Sequence, residues 1–167
     1  MSVCDEMLKE FREELKTTRR VLDRVPADKL TWKPHEKSMC LGALALHIAG
    51  VPGAIAGMVA GESFDLLKAD FTPPVPKSTD DIRAALDQSA IQAENAFKSA
   101  TEETAYAQWR LMKGDTVMMA LPRVVAWRTL LLNHWYHHRG QLSVYLRLLD
   151  VPVPSVYGPT ADEKVFG

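Results

Sequence analysis

His134-Trp135-Tyr136-His137-His138-Arg139-Gly140-Gln141 places three of the chain's five histidines within one short run. The run reads as the middle of a long helix that Pro122 can open and Val151-Pro-Val-Pro154 breaks. Residues four apart on a helix share a face, with Cβ atoms roughly 5–6 Å apart. His134 and His138 can therefore aim two imidazole nitrogens at one point. Nitrogens bound to a tetrahedral metal at ~2.0–2.1 Å lie a little over ~3 Å apart, within reach of such a pair. His137 is turned about 100° away from His138 and looks elsewhere. Spacing alone leaves a partly buried, hydrogen-bonded pair as the commoner reading; a metal needs a third ligand. No Glu lies between 134 and 138, so the chain lacks the His-Glu-x-x-His metalloprotease signature.

The inward stripe of this last helix reads Trp127, Leu131, His134, His138, Gln141 or Leu142, Tyr145 and Leu148. Upstream, Leu8, Phe11, Leu15, Thr18, Leu22 and Val25 mark a first helix over roughly 4–24. Ser38 offers an N-cap for a second helix, and Gly61 a stop. That helix carries Leu41, Leu44, His47, Ile48, Val51, Ile55 and Met58 on one face, and Pro52 inside it cannot donate to the carbonyl of Ile48. Phe71-Thr-Pro-Pro-Val-Pro-Lys77 is a loop. Ser78 with Asp81 caps a third helix whose stripe is Ile82, Leu86, Ala90, Ala93 and Phe97. Alternation between Ala105 and Ala120, broken at Lys113-Gly114-Asp115, predicts a short hairpin before the last long helix. The fold class expected is all-α, a four-helix bundle.

A chain of 167 residues, 47% hydrophobic and 25% charged, is of the size and composition of a single domain over 1–167. Twenty Lys and Arg against 21 Asp and Glu give a net charge of −1. That balance provides no general attraction to phosphate backbones or anionic lipid, so no nucleic-acid partner is expected. The charged N-terminus is unlike a signal peptide, and no apolar run is read as long enough for a bilayer. Cys4 and Cys40 are too few for a disulfide framework. These readings lead to a cytoplasmic protein without a membrane partner.

His47 sits among Leu44, Ile48 and Val51, so periodicity turns it towards the same core as His134 and His138. Three inward histidines are costly unless hydrogen-bonded or ligated. The combination resembles the DinB superfamily of metal-binding four-helix bundles, the DinB/YfiT-like proteins. The matching pieces are Ser38-Met39-x-Leu41-Gly42-Ala43-Leu44-Ala45-Leu46-His47-Ile48-Ala49, Asn133-His134-x-x-His137-His138-Arg139-Gly140-Gln141-Leu142, and Tyr157-Gly158-Pro159-Thr160-Ala161-Asp162-Glu163. The resemblance implies a divalent ion, zinc or nickel, held by His47, His134 and His138, with His137 not a ligand. It implies a homodimer and a small-molecule substrate. A water would complete the shell, the open pattern of catalytic sites, and zinc lowers the pKa of such a water to about 7. Relatives include transferases and an isomerase that use a low-molecular-weight thiol. The expected function is thus a metal-dependent hydrolase or thiol-dependent transferase. The alternative is a non-catalytic metal-binding or stress-response protein whose ion is structural. Catalytic residues and a cofactor-binding set stay unassigned.

Other residues receive simpler readings. His137 and Arg139 belong to a flanking face that either binds an anionic substrate or a partner subunit or, more simply, is solvated or interface-lining, and Gly140 permits close helix packing. Gln141 can orient a ligand or the water. Cys40 lies about 10 Å along the helix from His47, too far for a Cys-His pair. His35 lies in a polar loop with no evident partner. The four tryptophans read as packing residues, and Tyr157 and Asp162 either close over the pocket or dock the tail.

Overall fold

The computed structural model describes residues 2–70 and 74–164. Three long helices, α1 (Val3–Leu22), α2 (Leu41–Ala60) and α3 (Thr79–Ser99), precede a short α4 (Glu102–Tyr106). Arg123–Ala126 (α5), a π-helical segment Trp127–Asn133 and His134–Leu148 (α6) then form one continuous rod. α1 packs on α3 and α6, and α2 packs on the same two, so the rods run round the bundle as α1, α3, α2, α6. α2 and α6 are therefore neighbours, which puts His47 and the histidine run on adjoining rods. A three-stranded sheet, β1 (Ser63–Asp65), β2 (Gln108–Lys113) and β3 (Thr116–Pro122), has the order β1-β2-β3. β1 and β2 are parallel; β2 and β3 form the expected hairpin, turned at Gly114, whose φ of 57° favours glycine.

Local chemistry explains the ends. Ser2 with Asp5 and Ser78 with Asp81 close reciprocal capping boxes on α1 and α3. The expected cap on α2 is corrected: the helix begins at Leu41, with Cys40 in the cap position and no side-chain bond there. Backbone carbonyls replace it, since Leu41 N–H donates to Trp32 O (2.7 Å) and Gly42 N–H to Leu30 O (2.8 Å). That approach needs a glycine, because a Cβ on Gly42 would lie 3.0 Å from the Leu30 oxygen. Phe71, Thr72 and Pro73 of the expected proline loop lie outside the described residues; 74–77 carry no regular structure.

α2 also corrects the membrane reading: it is long and apolar enough to cross a bilayer by length and composition. Most of it is buried within the bundle, including Leu41, Leu44, Ile48, Val51 and Ile55. Its break at Pro52 is answered from both neighbours. The Ile48 carbonyl, which Pro52 cannot serve, accepts the indole N–H of Trp135 at 2.8 Å. Ser89 of α3 accepts from Gly53 N–H at 2.7 Å and donates to Gly50 O at 3.2 Å. A Cβ on Gly53 would come within 2.9 Å of the Ser89 Cα, so a glycine is what admits α3 there.

Candidate metal centre

The π-helical segment decides which residues of the last rod face inward. Its i→i+5 bonding closes a wider turn than the α-helix. The buried stripe that starts at Trp127 and Leu131 therefore continues through Trp135, Arg139, Leu142 and Leu146. This corrects the stripe expected through His134, His138, Tyr145 and Leu148. The two histidines are half-buried at its edge, Tyr145 is half-buried and Leu148 is exposed. Across from them, His47 is half-buried on α2 rather than sunk in the core.

The three imidazoles converge. His47 Nε2 lies 3.4 Å from His134 Nε2, which lies 2.7 Å from His138 Nε2. All three ligand nitrogens fall within 4.8 Å of one another, so the group can hold a metal ion. Among the described residues no fourth His, Cys or carboxylate joins the cluster.

The far sides of two rings fix their protons. His134 Nδ1 faces Leu130 O at 3.2 Å, and a carbonyl can only accept, so the proton sits on Nδ1. His138 Nδ1 faces Gln141 Oε1 at 2.8 Å and donates to it. In the neutral rings both Nε2 atoms then carry lone pairs, directed at each other across 2.7 Å. Such a pair repels unless a proton or a cation lies between. Burial, reinforced by the neighbouring histidines, pushes His47 down to about 4, and burial also lowers His138. At neutral pH these two rings are uncharged, the form that binds metal. Three imidazoles suit zinc, nickel, copper or iron, and the two Nε2 separations of 2.7 and 3.4 Å bracket the ~3.3 Å expected of tetrahedral ligands.

His137 is exposed and outside the cluster, as expected. Arg139 is not: only 2% exposed, it is corrected from the surface to the interior. It pairs with Glu14 at 2.7 Å, donates to Thr18 Oγ1 at 3.0 Å, and lies between the rings of Tyr136 and Tyr157. Tyr157 thus docks the tail away from the histidines, while Asp162 receives Val153 N–H at 2.8 Å and pairs with Arg147. Gly140 is exposed, and nothing approaches where its Cβ would be, so it serves no close packing. His35 does find a partner, accepting from Lys37 N–H at 3.1 Å.

Beside the histidines lies a cleft of about 480 Å³, lined by Met39, His47, Gly50, Val51, Ala54, Ile55, Met58, Asp70, Pro74 and His134. The sequence reading missed it. The small residues Gly50 and Ala54, three and seven positions beyond His47, were the available signal.

Comparison with known proteins agrees with this fold. The family model described as "DinB family" matches residues 1–164. The chain is 28% identical over 159 residues to the uncharacterized protein YrdA of Bacillus subtilis strain 168, spanning 95% of this chain and 90% of that protein. A crystal structure of a DinB-like protein from Bacillus cereus superposes with a TM-score of 0.74 at 23% identity, covering 92% of this chain and 97% of that one. The DinB-like protein YjoA of Bacillus subtilis gives 0.70 at 16% identity, covering 96% and 99%.

Proposed function

The chain belongs to the DinB family, and from that premise we propose that it is a metal-dependent enzyme whose divalent ion is held by His47, His134 and His138. The observation that carries this is the convergence of three imidazole nitrogens within 4.8 Å of one another, two of them 2.7 Å apart. Three imidazoles and, among the described residues, no fourth protein ligand leave a coordination position for water or substrate, the arrangement of catalytic rather than structural sites. That favours the enzyme over the non-catalytic, structural-metal reading. The adjacent cleft supports it further, because a substrate entering there meets His47 and His134.

When bound, a zinc or nickel ion supplies Lewis acidity at the open position. The chain's own residues supply orientation. Leu130 O holds His134 in one tautomer, and Gln141 Oε1 does the same for His138, so each ring presents Nε2 to the centre. The Trp135 bond to Ile48 O ties α6 to α2 at the same level and keeps His47 opposite the pair. The chemistry in this reading is hydrolysis or transfer with a low-molecular-weight thiol, acting on a small molecule, in a cytoplasmic homodimer.

Metal analysis of protein purified without added ions tests the centre. The expected content is about one equivalent per chain, falling sharply in His47→Ala, His134→Ala and His138→Ala but not in His137→Ala. Full stoichiometry in the first three variants would overturn the assignment.

A further inference from the structure

The cleft beside the histidines has a shape and a chemistry that narrow what it can hold. Its floor is one face of α2, read at His47, Gly50, Val51, Ala54, Ile55 and Met58. The 11 residues from His47 to Met58, at ~1.5 Å each, make a groove about 16 Å long with the histidines at one end. Among the described residues, a Cβ on Gly50 would meet nothing within 4 Å, so the floor is open there. The walls are apolar side chains, and among the described lining residues there is no Lys or Arg. Asp70, exposed, is the acidic group among the described lining residues. Away from the histidine end, a carboxylate, phosphate or sulfonate lying along the groove would lose its water without meeting a cationic side chain among the described lining residues.

We propose that the molecule delivered to the histidine centre has an uncharged, elongated, mainly aliphatic body and a single metal-binding head. This deepens the metal-centre reading and rests on it. The head meets the open coordination position while the body lies along α2 over Gly50 and Ala54. An anionic peptide-like thiol does not fit these walls; an apolar thiol or an apolar electrophile does.

The test uses straight-chain alkyl hydroxamates, from acetohydroxamate to decanohydroxamate, titrated calorimetrically into the zinc-loaded protein. Burial on apolar walls should tighten binding about three- to four-fold per added methylene until the groove is filled. A series ending in a carboxylate should show no such gain. Gly50→Leu, and separately Ala54→Phe, should flatten the chain-length dependence, with zinc content measured alongside to confirm that the centre still loads. A flat series in the parent protein, or equal gains for carboxylate-ended chains, would overturn the aliphatic body while acetohydroxamate binding still upheld the centre. Failure of acetohydroxamate to bind, or of zinc to load, would overturn both.

Discussion

Replacing Trp135 by Phe removes the one donor that serves the Ile48 carbonyl across the α2–α6 interface. Trp135 is fully buried, and Pro52, four residues after Ile48, has no N–H to take over. An unpaired buried carbonyl costs about 1–3 kcal/mol. The lost ring volume, roughly 40 Å³ at ~24 cal/mol per Å³, adds about 1 kcal/mol. Trp135→Phe should therefore destabilise the protein by about 2–4 kcal/mol. Pro52→Ala supplies an amide N–H of its own to Ile48, so in that background only the packing loss of about 1 kcal/mol should remain. Urea unfolding of the parent, both single variants and the double variant gives the coupling, expected at about 1–3 kcal/mol. Additivity within ~0.5 kcal/mol would refute the claim that these two positions answer the same carbonyl.

Three other outcomes follow from sites described above. Arg139→Met takes the cation from Glu14, whose side chain is 15% exposed and keeps a bond from the Tyr157 hydroxyl at 3.0 Å, and should cost about 3 kcal/mol in urea unfolding, with much of it recovered by adding Glu14→Gln; a loss under ~1 kcal/mol would contradict the buried pair. Gly140→Ala, exposed in mid-helix with open space for a methyl group, should raise stability by about 0.5–1 kcal/mol, and a thermal melt that falls instead would mean the glycine is needed. Hydrogen bonds from Arg12 and Lys98 hold the Glu94 carboxyl down to about 2 from its ordinary 4.5. A depressed carboxylate stabilises above its unfolded pKa and loses that contribution as pH falls through the folded one. Both cations are about half exposed, so the contribution is discounted to about 1 kcal/mol. Glu94→Gln should be less stable than the parent at pH 7 by that amount, and the gap should close between pH 4.5 and 2; a gap constant down to pH 2 would argue against the assignment.

Much of the architecture was legible because it is written locally. The α3 stripe from Ile82 to Phe97, its Ser78–Asp81 cap and the turn at Gly114 each depend on residues a few positions apart. His134 and His138 were legible for the same reason, one helical turn being a local fact. His47 came from periodicity that was right about the direction and wrong about the depth. What failed was non-local or required an irregular turn. The π-helical segment has no composition of its own, and it moved the buried stripe from His138 to Arg139. Arg139 was placed on the flanking face with His137 because regular helical spacing puts it there, and Glu14, which pairs with it, is far away in the chain. β1 is three residues long and pairs with a strand more than forty positions later, so nothing near Ser63 announces it.

The apolarity of α2 has a consequence during synthesis. Its cover is the last rod and α3, and the rod ends at Leu148, 88 residues after Ala60. At ~5–20 residues per second, about 4–18 s pass between completion of α2 and arrival of the helix that buries its histidine face. Through that interval a segment resembling a membrane span in length and composition is bare on one side, its Ile48 carbonyl waiting for Trp135. The nascent chain, rather than the finished fold, is thus the form most exposed to aggregation and to capture by chaperones or targeting factors.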